Sequence, residues 1–245
     1  MITSISDTAG FRNACKNADL ANFKVDPAIT QIFEHVSIPF GEEYAALIRE
    51  QYPELAERAL DFAVNDLVGG SVDRVLTNGV ALSPTTLRYV KVAGDLLAMG
   101  LDASNAIVEI GAGYGGQCLI LDTLEPDPAA LYGIYDLPEA ADLQQRYLGE
   151  HGLNHVMWFS RESEIRDWDF CLSNYAFSEC TREQQDWYLE NVILRSSHGY
   201  MVCNEISHHF GLESYSVQEI LDRIPNSQAE EDKPFTAFRT QIVRW

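Results

Sequence analysis

The run Ile107-Val-Glu-Ile-Gly-Ala-Gly-Tyr-Gly-Gly-Gln117 constrains the fold of this chain more than any other stretch. A β-branched, apolar start passes through closely spaced glycines into Cys118-Leu-Ile-Leu121, which predicts a strand, a tight turn and the opening of a helix. Glycines permit positive φ and let the backbone approach a ligand that a Cβ would keep away, and the first N–H groups of the following helix then face that ligand. Gly111, Gly113 and Gly116 satisfy the G-x-G-x-x-G pattern of dinucleotide-binding turns.

Two acids narrow the ligand. Glu109 is the penultimate strand residue before the first glycine, and Asp136 ends the next apolar run, Leu131-Tyr-Gly-Ile-Tyr-Asp136, where an acid gripping ribose hydroxyls is expected. A nicotinamide cofactor brings a pyrophosphate, which an acid beneath the turn would repel. S-adenosylmethionine brings an ammonium, a sulfonium and a ribose but no phosphate, so two carboxylates at these places suit it better.

Val108-Glu-Ile-Gly-Ala-Gly-Tyr-Gly-Gly116, Tyr135-Asp-Leu-Pro138 and Leu172-Ser-Asn-Tyr-Ala-Phe-Ser-Glu179 together resemble class I S-adenosylmethionine-dependent methyltransferases. In overall look the chain resembles the sugar O-methyltransferases of bacterial surface-polysaccharide and natural-product pathways. Asp136-Leu-Pro138 also resembles plant-type small-molecule O-methyltransferases. The resemblance runs from about Ser83 to the C-terminus. It implies a Rossmann-like, seven-stranded sheet, with residues 1–82 as a helical extension capping the acceptor side and 83–245 as the cofactor-binding domain. It also implies site roles: Gly111, Ala112, Gly113, Tyr114 and Gly116 with Glu109 around the methionine part and ribose, Asp136 on the ribose, and Leu137, Phe159 and Ser160 around the adenine. Asn174 would hold the methionine head.

Apolar and charged fractions of 46% and 22% are those of an ordinary globular chain, and 245 residues suffice for one large domain with an appendage. The formal charge of −20 argues against nucleic acid or an anionic membrane as partner. No stretch has the apolar length of a membrane span, and Met1 to Asp7 lacks the layout of a signal peptide, so a cytoplasmic enzyme is expected. Cys15, Cys118, Cys171, Cys180 and Cys203 show no C-x-x-C spacing and read as reduced, space-filling thiols.

Residues 1 to about 40 predict short helices or a loose arm, and Gly41 to Val68 shows helical periodicity reopened at Pro53. Ser83-Pro84 caps and opens the helix leading to the glycine-rich strand. Strands follow at Val156–Phe159, Asp169–Asn174 and Tyr200–Ile206, with helices at Pro138–Glu150, after Thr181-x-x-Gln184 and after Ser216-x-x-Glu219. Ser227–Glu231, taken as an edge strand, and Ala237–Val243 complete a count of seven, and the resemblance implies that the last is antiparallel.

Methyl transfer to a hydroxyl needs a base or a metal. By the resemblance to the plant-type enzymes, their His-Asp pair falls on Ser178-Glu179, so the histidine is missing and Glu179 remains. Glu179 serves equally well as a charge near a helix start. His208 and His209 follow the fifth strand as further candidates. Glu205 with these two histidines would be a cation site without any regular ligand spacing, and we assign no metal. Arg88 and Tyr89 are expected on the far side of their helix from its apolar stripe, at the cofactor mouth or on an exposed face. Trp158, Trp168, Tyr175 and Trp187 are aromatic enough to stack on a sugar, and as core they need no ligand. The expectation is an O-methyltransferase that binds S-adenosyl-L-methionine and acts on a sugar or glycosylated small-molecule acceptor, as a monomer or homo-oligomer. The alternatives are an NAD(P)-binding oxidoreductase and a non-catalytic cofactor-binding scaffold.

Overall fold

The computed structural model describes residues 3–124, 131–236 and 239–245. Short helices come first: α1 (Ala9–Asn17), α2 (Pro27–Phe33), α3 (Ile38–Gln51), α4 (Pro53–Glu57) and α5 (Ala59–Phe62). Thr8 and Asp26 cap the first two, each accepting from a backbone N–H of the opening turn. Proline at the head of α2, α3 and α4 fits the place where no N–H is needed. A hairpin follows, β1 (Val75–Thr77) with β2 (Val80–Leu82), turning on Asn78-Gly79, both at positive φ. Sequence periodicity did not announce this hairpin, although Asn-Gly is its turn signature.

Helix α6 (Pro84–Ala98) starts at Ser83, whose hydroxyl accepts from the Thr86 N–H at 3.1 Å. The remaining elements alternate: β3 (Ile107–Ile110), α7 (Gly116–Leu124), β4 (Tyr132–Tyr135), α8 (Pro138–Glu150), β5 (Val156–Phe159), β6 (Trp168–Asn174), α9 (Arg182–Asn191), β7 (Ser196–Cys203), α10 (Val217–Leu221), β8 (Gln228–Glu231) and β9 (Gln241–Arg244). The strand order is β5-β4-β3-β6-β7-β9-β8, parallel from β5 through β7, with β9 and β8 antiparallel. This is a Rossmann-like, seven-stranded sheet with the strand count expected from the sequence. The order reverses between β3 and β6, and the crevice beyond their carboxyl ends is where such sheets take ligands.

Two boundaries differ from the sequence reading. Strand β7 begins at Ser196 and ends at Cys203, three residues short of Ile206, because Asn204 turns the chain by accepting from the Ile206 N–H. The expected run from Ala237 starts on residues outside those described, and its pairing is seen from Gln241.

The early helices do not sit apart from the sheet. One apolar cluster joins Phe11, Phe23, Ile29, Phe33, Tyr44 and Phe62 to Leu87, Tyr114, Tyr147 and Leu148. Between α3 and α6 the approach is close enough that the Tyr52 ring lies over Gly94, while its hydroxyl donates to Asp95. A Cβ on Gly94 would stand 2.3 Å from that ring. Gly94→Ala is therefore expected to lower stability by about 1–3 kcal/mol through overpacking, read as a lower urea midpoint; an unchanged midpoint contradicts this packing.

Candidate functional site

The glycine turn leaves β3 at the topological switch. Gly111 and Gly113 have φ of +72° and +60°, which only glycine adopts without cost. A Cβ on Gly111 would also lie 2.1 Å from the Ala176 Cβ in the loop after β6. Gly116 has another role: its absent Cβ leaves room for the Tyr89 ring of α6, 2.4 Å from where that carbon would be.

A cavity of about 540 Å³ opens beside this turn. The sheet side of its lining includes Glu109, Gly111, Ala112, Gly113, Asp136, Asn174, Tyr175, Glu179 and Asn204. Arg88 and Tyr89 enter from α6, and Ile5, Thr8, Phe11, Ile32, Phe33 and His35 enter from the first third of the chain.

Asp136 ends β4 with its carboxylate already held. It accepts from the Leu137 N–H at 2.7 Å and from Gln144 Nε2 at 2.7 Å. The same Gln144 amide donates to the Gly113 carbonyl at 2.9 Å and accepts from Trp158 Nε1 at 3.0 Å. Burial pushes Asp136 up to about 6, against these hydrogen bonds. Glu109 accepts from the Tyr132 hydroxyl at 2.7 Å and is pushed up to about 8, first by burial and then by Asp136. Arg88 and Asn174 pull it the other way.

Unsatisfied donors face these acids. Arg88, 6% exposed, has its guanidinium beside the rings of Tyr89 and Tyr175 and leaves Nε and Nη1 without a hydrogen-bond partner among the described residues. Neither amide atom of Asn174 makes a well-formed hydrogen bond among the described residues, although the amide lies near enough to Glu109 to lower that carboxyl. Buried polar groups without partners are costly, and here they share one cavity.

Glu179 lines the cavity, accepts from Asn204 Nδ2 at 2.7 Å, and is raised by burial. It does not cap α9, which is capped by Thr181. Ser178 is structural: its hydroxyl donates to the Tyr175 carbonyl and accepts from the Asn204 N–H.

Other expected site residues lie elsewhere. Tyr114 is fully buried beneath the turn, packed on Phe23, Phe33, Tyr89 and Tyr147. Leu137 is the N-cap residue of α8, packed against the main core and outside the cavity lining. Phe159 packs on Tyr135 and Trp168 in the second apolar cluster, away from the cavity, and Ser160 is exposed and bonded to Glu162. Strand alternation explains Phe159: Trp158 points toward Gln144, so its neighbour points to the other face. His208 and His209 are exposed on a short 3₁₀ turn, Ser207–Phe210, and neither lines the cavity. Glu205 pairs with Arg239 at 3.0 Å, and no cluster of three metal-ligating side chains forms among the described residues. Missed in the sequence were Gln144 and His35; nothing in local periodicity marks either.

No family model and no curated protein matches the chain. Among solved structures it is similar to PigF with bound SAH (16% identity, 64% of this chain and 58% of that one, TM-score 0.44). It is also similar to the magnesium protoporphyrin IX methyltransferase of Synechocystis PCC 6803 with bound SAH (11%, 64% and 80%, TM-score 0.47). A third is the methyltransferase domain of bacterial CtHen1 (11%, 64% and 96%, TM-score 0.46). The chain thus spans less than two thirds of the first of these, and at such identities and scores the likeness carries nothing about ligand or substrate.

Glu109 and Asp136 hold their protons more tightly folded than unfolded, so the folded state binds the extra protons between about pH 4 and pH 8. Their contribution to stability is complete at the acid end and is lost as pH rises through about 6 and then about 8. The melting temperature is expected to fall across that window, and Glu109→Gln, which keeps a partner for Tyr132, should flatten its upper half. Superimposable pH profiles for the two proteins would contradict the placement of Glu109.

Proposed function

We propose that the chain is an S-adenosylmethionine-dependent methyltransferase acting on a hydroxyl of a small acceptor, a sugar or glycosylated metabolite. The observation that carries this reading is the pairing of unsatisfied Arg88 and Asn174 with buried Glu109 in one cavity beside the glycine turn. An amino-acid head group answers all three: its carboxylate suits the free guanidinium N–H groups, and its ammonium suits the Glu109 carboxyl and the Asn174 amide oxygen. Asp136 then suits a ribose diol, with Gln144 keeping its carboxylate in place. Phe11 and Phe33, rather than Phe159, supply apolar surface for a base. A pyrophosphate cofactor fits worse, because Glu109, in the strand that runs into the turn, and Asp136 both line the cavity where phosphate would sit.

When bound, the cofactor supplies an electrophilic methyl carbon on a sulfonium. The protein's part is to hold the acceptor oxygen in line with that carbon and to keep water away. Residues 1–82 act as the cap on the acceptor side, where Ile5, Ile32 and His35 line the same cavity as Glu179, Ile206 and Phe210. The Ile5 N–H donates to the Glu179 carbonyl and the Thr181 N–H to the Thr3 carbonyl, so the first segment is laced to the loop carrying Glu179. An apolar wall with a few polar groups suits an acceptor with a hydroxylated ring and an apolar portion.

Calorimetry tests this directly. Adenosylmethionine and adenosylhomocysteine should bind while NADH gives no heat. Asp136→Ala should weaken binding by roughly 1.5–3 kcal/mol through lost charge-assisted bonds to the ribose, and Arg88→Met should weaken it too. Tight NADH uptake without heat from adenosylhomocysteine would overturn the reading.

A further inference from the structure

On the reading of the cavity just given, the acceptor hydroxyl must lose its proton, and His35 stands where a base is needed. It lies just past the end of α2, in the cap, and its ring lines the cavity alongside Arg88 and Tyr175. Its Nδ1 lies 3.1 Å from the Ile32 carbonyl oxygen. A carbonyl only accepts, so Nδ1 carries the hydrogen and Nε2 is left as a lone pair. Nε2 has no hydrogen-bond partner among the described residues. The ring is steadied by the edge of Tyr175, 5.7 Å between centroids at 69°. Tyr175 in turn is held: its φ is +70°, unusual for a side chain of that size, and its hydroxyl lies 2.6 Å from Thr236 Oγ1. Left-handed backbone at a bulky residue persists only where surrounding contacts hold it, and it gathers at functional sites.

We propose that His35 is the general base of the transfer, taking the acceptor's hydroxyl proton on Nε2. The acceptor oxygen forms its bond to the methyl carbon as the carbon–sulfur bond breaks. The bonding pair stays on sulfur as a neutral thioether, and the proton passes from the acceptor to Nε2 and later to solvent. Desolvation by the side chains packed around it, then the Arg88 charge, push the ring down to about 4, so it rests neutral at physiological pH although part of the ring stays open to solvent. The other titratable groups lining the cavity are Tyr89, Glu109, Asp136, Tyr175 and Glu179. A cofactor carboxylate on Arg88 would cancel the opposing charge, so the imidazole becomes a stronger base once the cofactor is in place. Glu179, already bonded to Asn204, then acts on acceptor orientation and not as the proton acceptor.

The test uses the full chain with labelled adenosylmethionine, nitrophenyl glycosides and nucleotide sugars as acceptors, and ¹⁵N-imidazole spectra. His35→Asn keeps a donor toward Ile32 and deletes Nε2; it should lower kcat at least about 100-fold with adenosylhomocysteine affinity within about twofold. His35→Ala should regain part of its rate with added imidazole. Independent of turnover, the wild-type spectrum with adenosylhomocysteine should show His35 as the neutral Nδ1–H tautomer. A His35→Asn enzyme of near wild-type kcat, or an Nε2–H tautomer, overturns the proposal. A protein that binds adenosylmethionine yet methylates no hydroxyl in the panel overturns it as well. Absence of adenosylmethionine binding is a separate result, which removes the reading on which the proposal rests.

Discussion

Everything at the mouth of this sheet depends on one buried amide. Gln144 is shielded from solvent within α8 and has three partners there: the Gly113 carbonyl of the turn, the Asp136 carboxylate at the end of β4, and the Trp158 indole of β5. Strands β3, β4 and β5 are hydrogen-bonded along their length, but their ends are loops that the ladder does not hold. The amide supplies that missing restraint. It also makes a buried acid tolerable, because a carboxyl at Asp136 without Gln144 would lack one of the bonds that oppose its desolvation.

A second restraint comes from beneath the turn. Tyr114 leaves the glycine run toward the core, where its hydroxyl accepts from Asn65 Nδ2 at 3.0 Å. Asn65 also accepts from the Tyr147 hydroxyl and donates to Thr86. Lys24 completes the knot: its ammonium donates to the Asn65 carbonyl and lies 4.4 Å from the centre of the Tyr114 ring, and burial pushes it down to about 8. The first third of the chain is thereby tied to the floor of the turn by charge and aromatic contact, and the cap and the turn share one set of side chains.

Much of this was legible in the order of residues. Capping boxes, proline-opened helices and the alternation of apolar runs carry local information, so Ser83, Ser216 and Pro138 marked their helices correctly. Glu109, Gly111, Gly113, Asp136, Asn174 and Glu179 do share a cavity, because strand ends on one side of a doubly wound sheet must converge. What escaped was written in contacts between distant segments. His35 has no pattern around it and gains meaning only from Tyr175 and Arg88. The fate of Tyr114 was hidden because an aromatic in a glycine turn reads the same whether it points at a ligand or into the core. His208 and His209 followed from extending β7 three residues too far.

The three glycines of the G-x-G-x-x-G pattern answer to different masters. Gly111 and Gly113 serve backbone conformation, whereas Gly116 is small because Tyr89 of α6 occupies the space its side chain would take. The third position is thus one member of a size-complementary set, since the Tyr114 ring and Asn65 Oδ1 lie 2.8 Å and 3.0 Å from the same point. In kindred sequences alanine or serine there should travel with slimmer residues at the positions of Tyr89 and Tyr114 together, so a pattern search treating all three glycines alike would discard sequences that had made the exchange in concert.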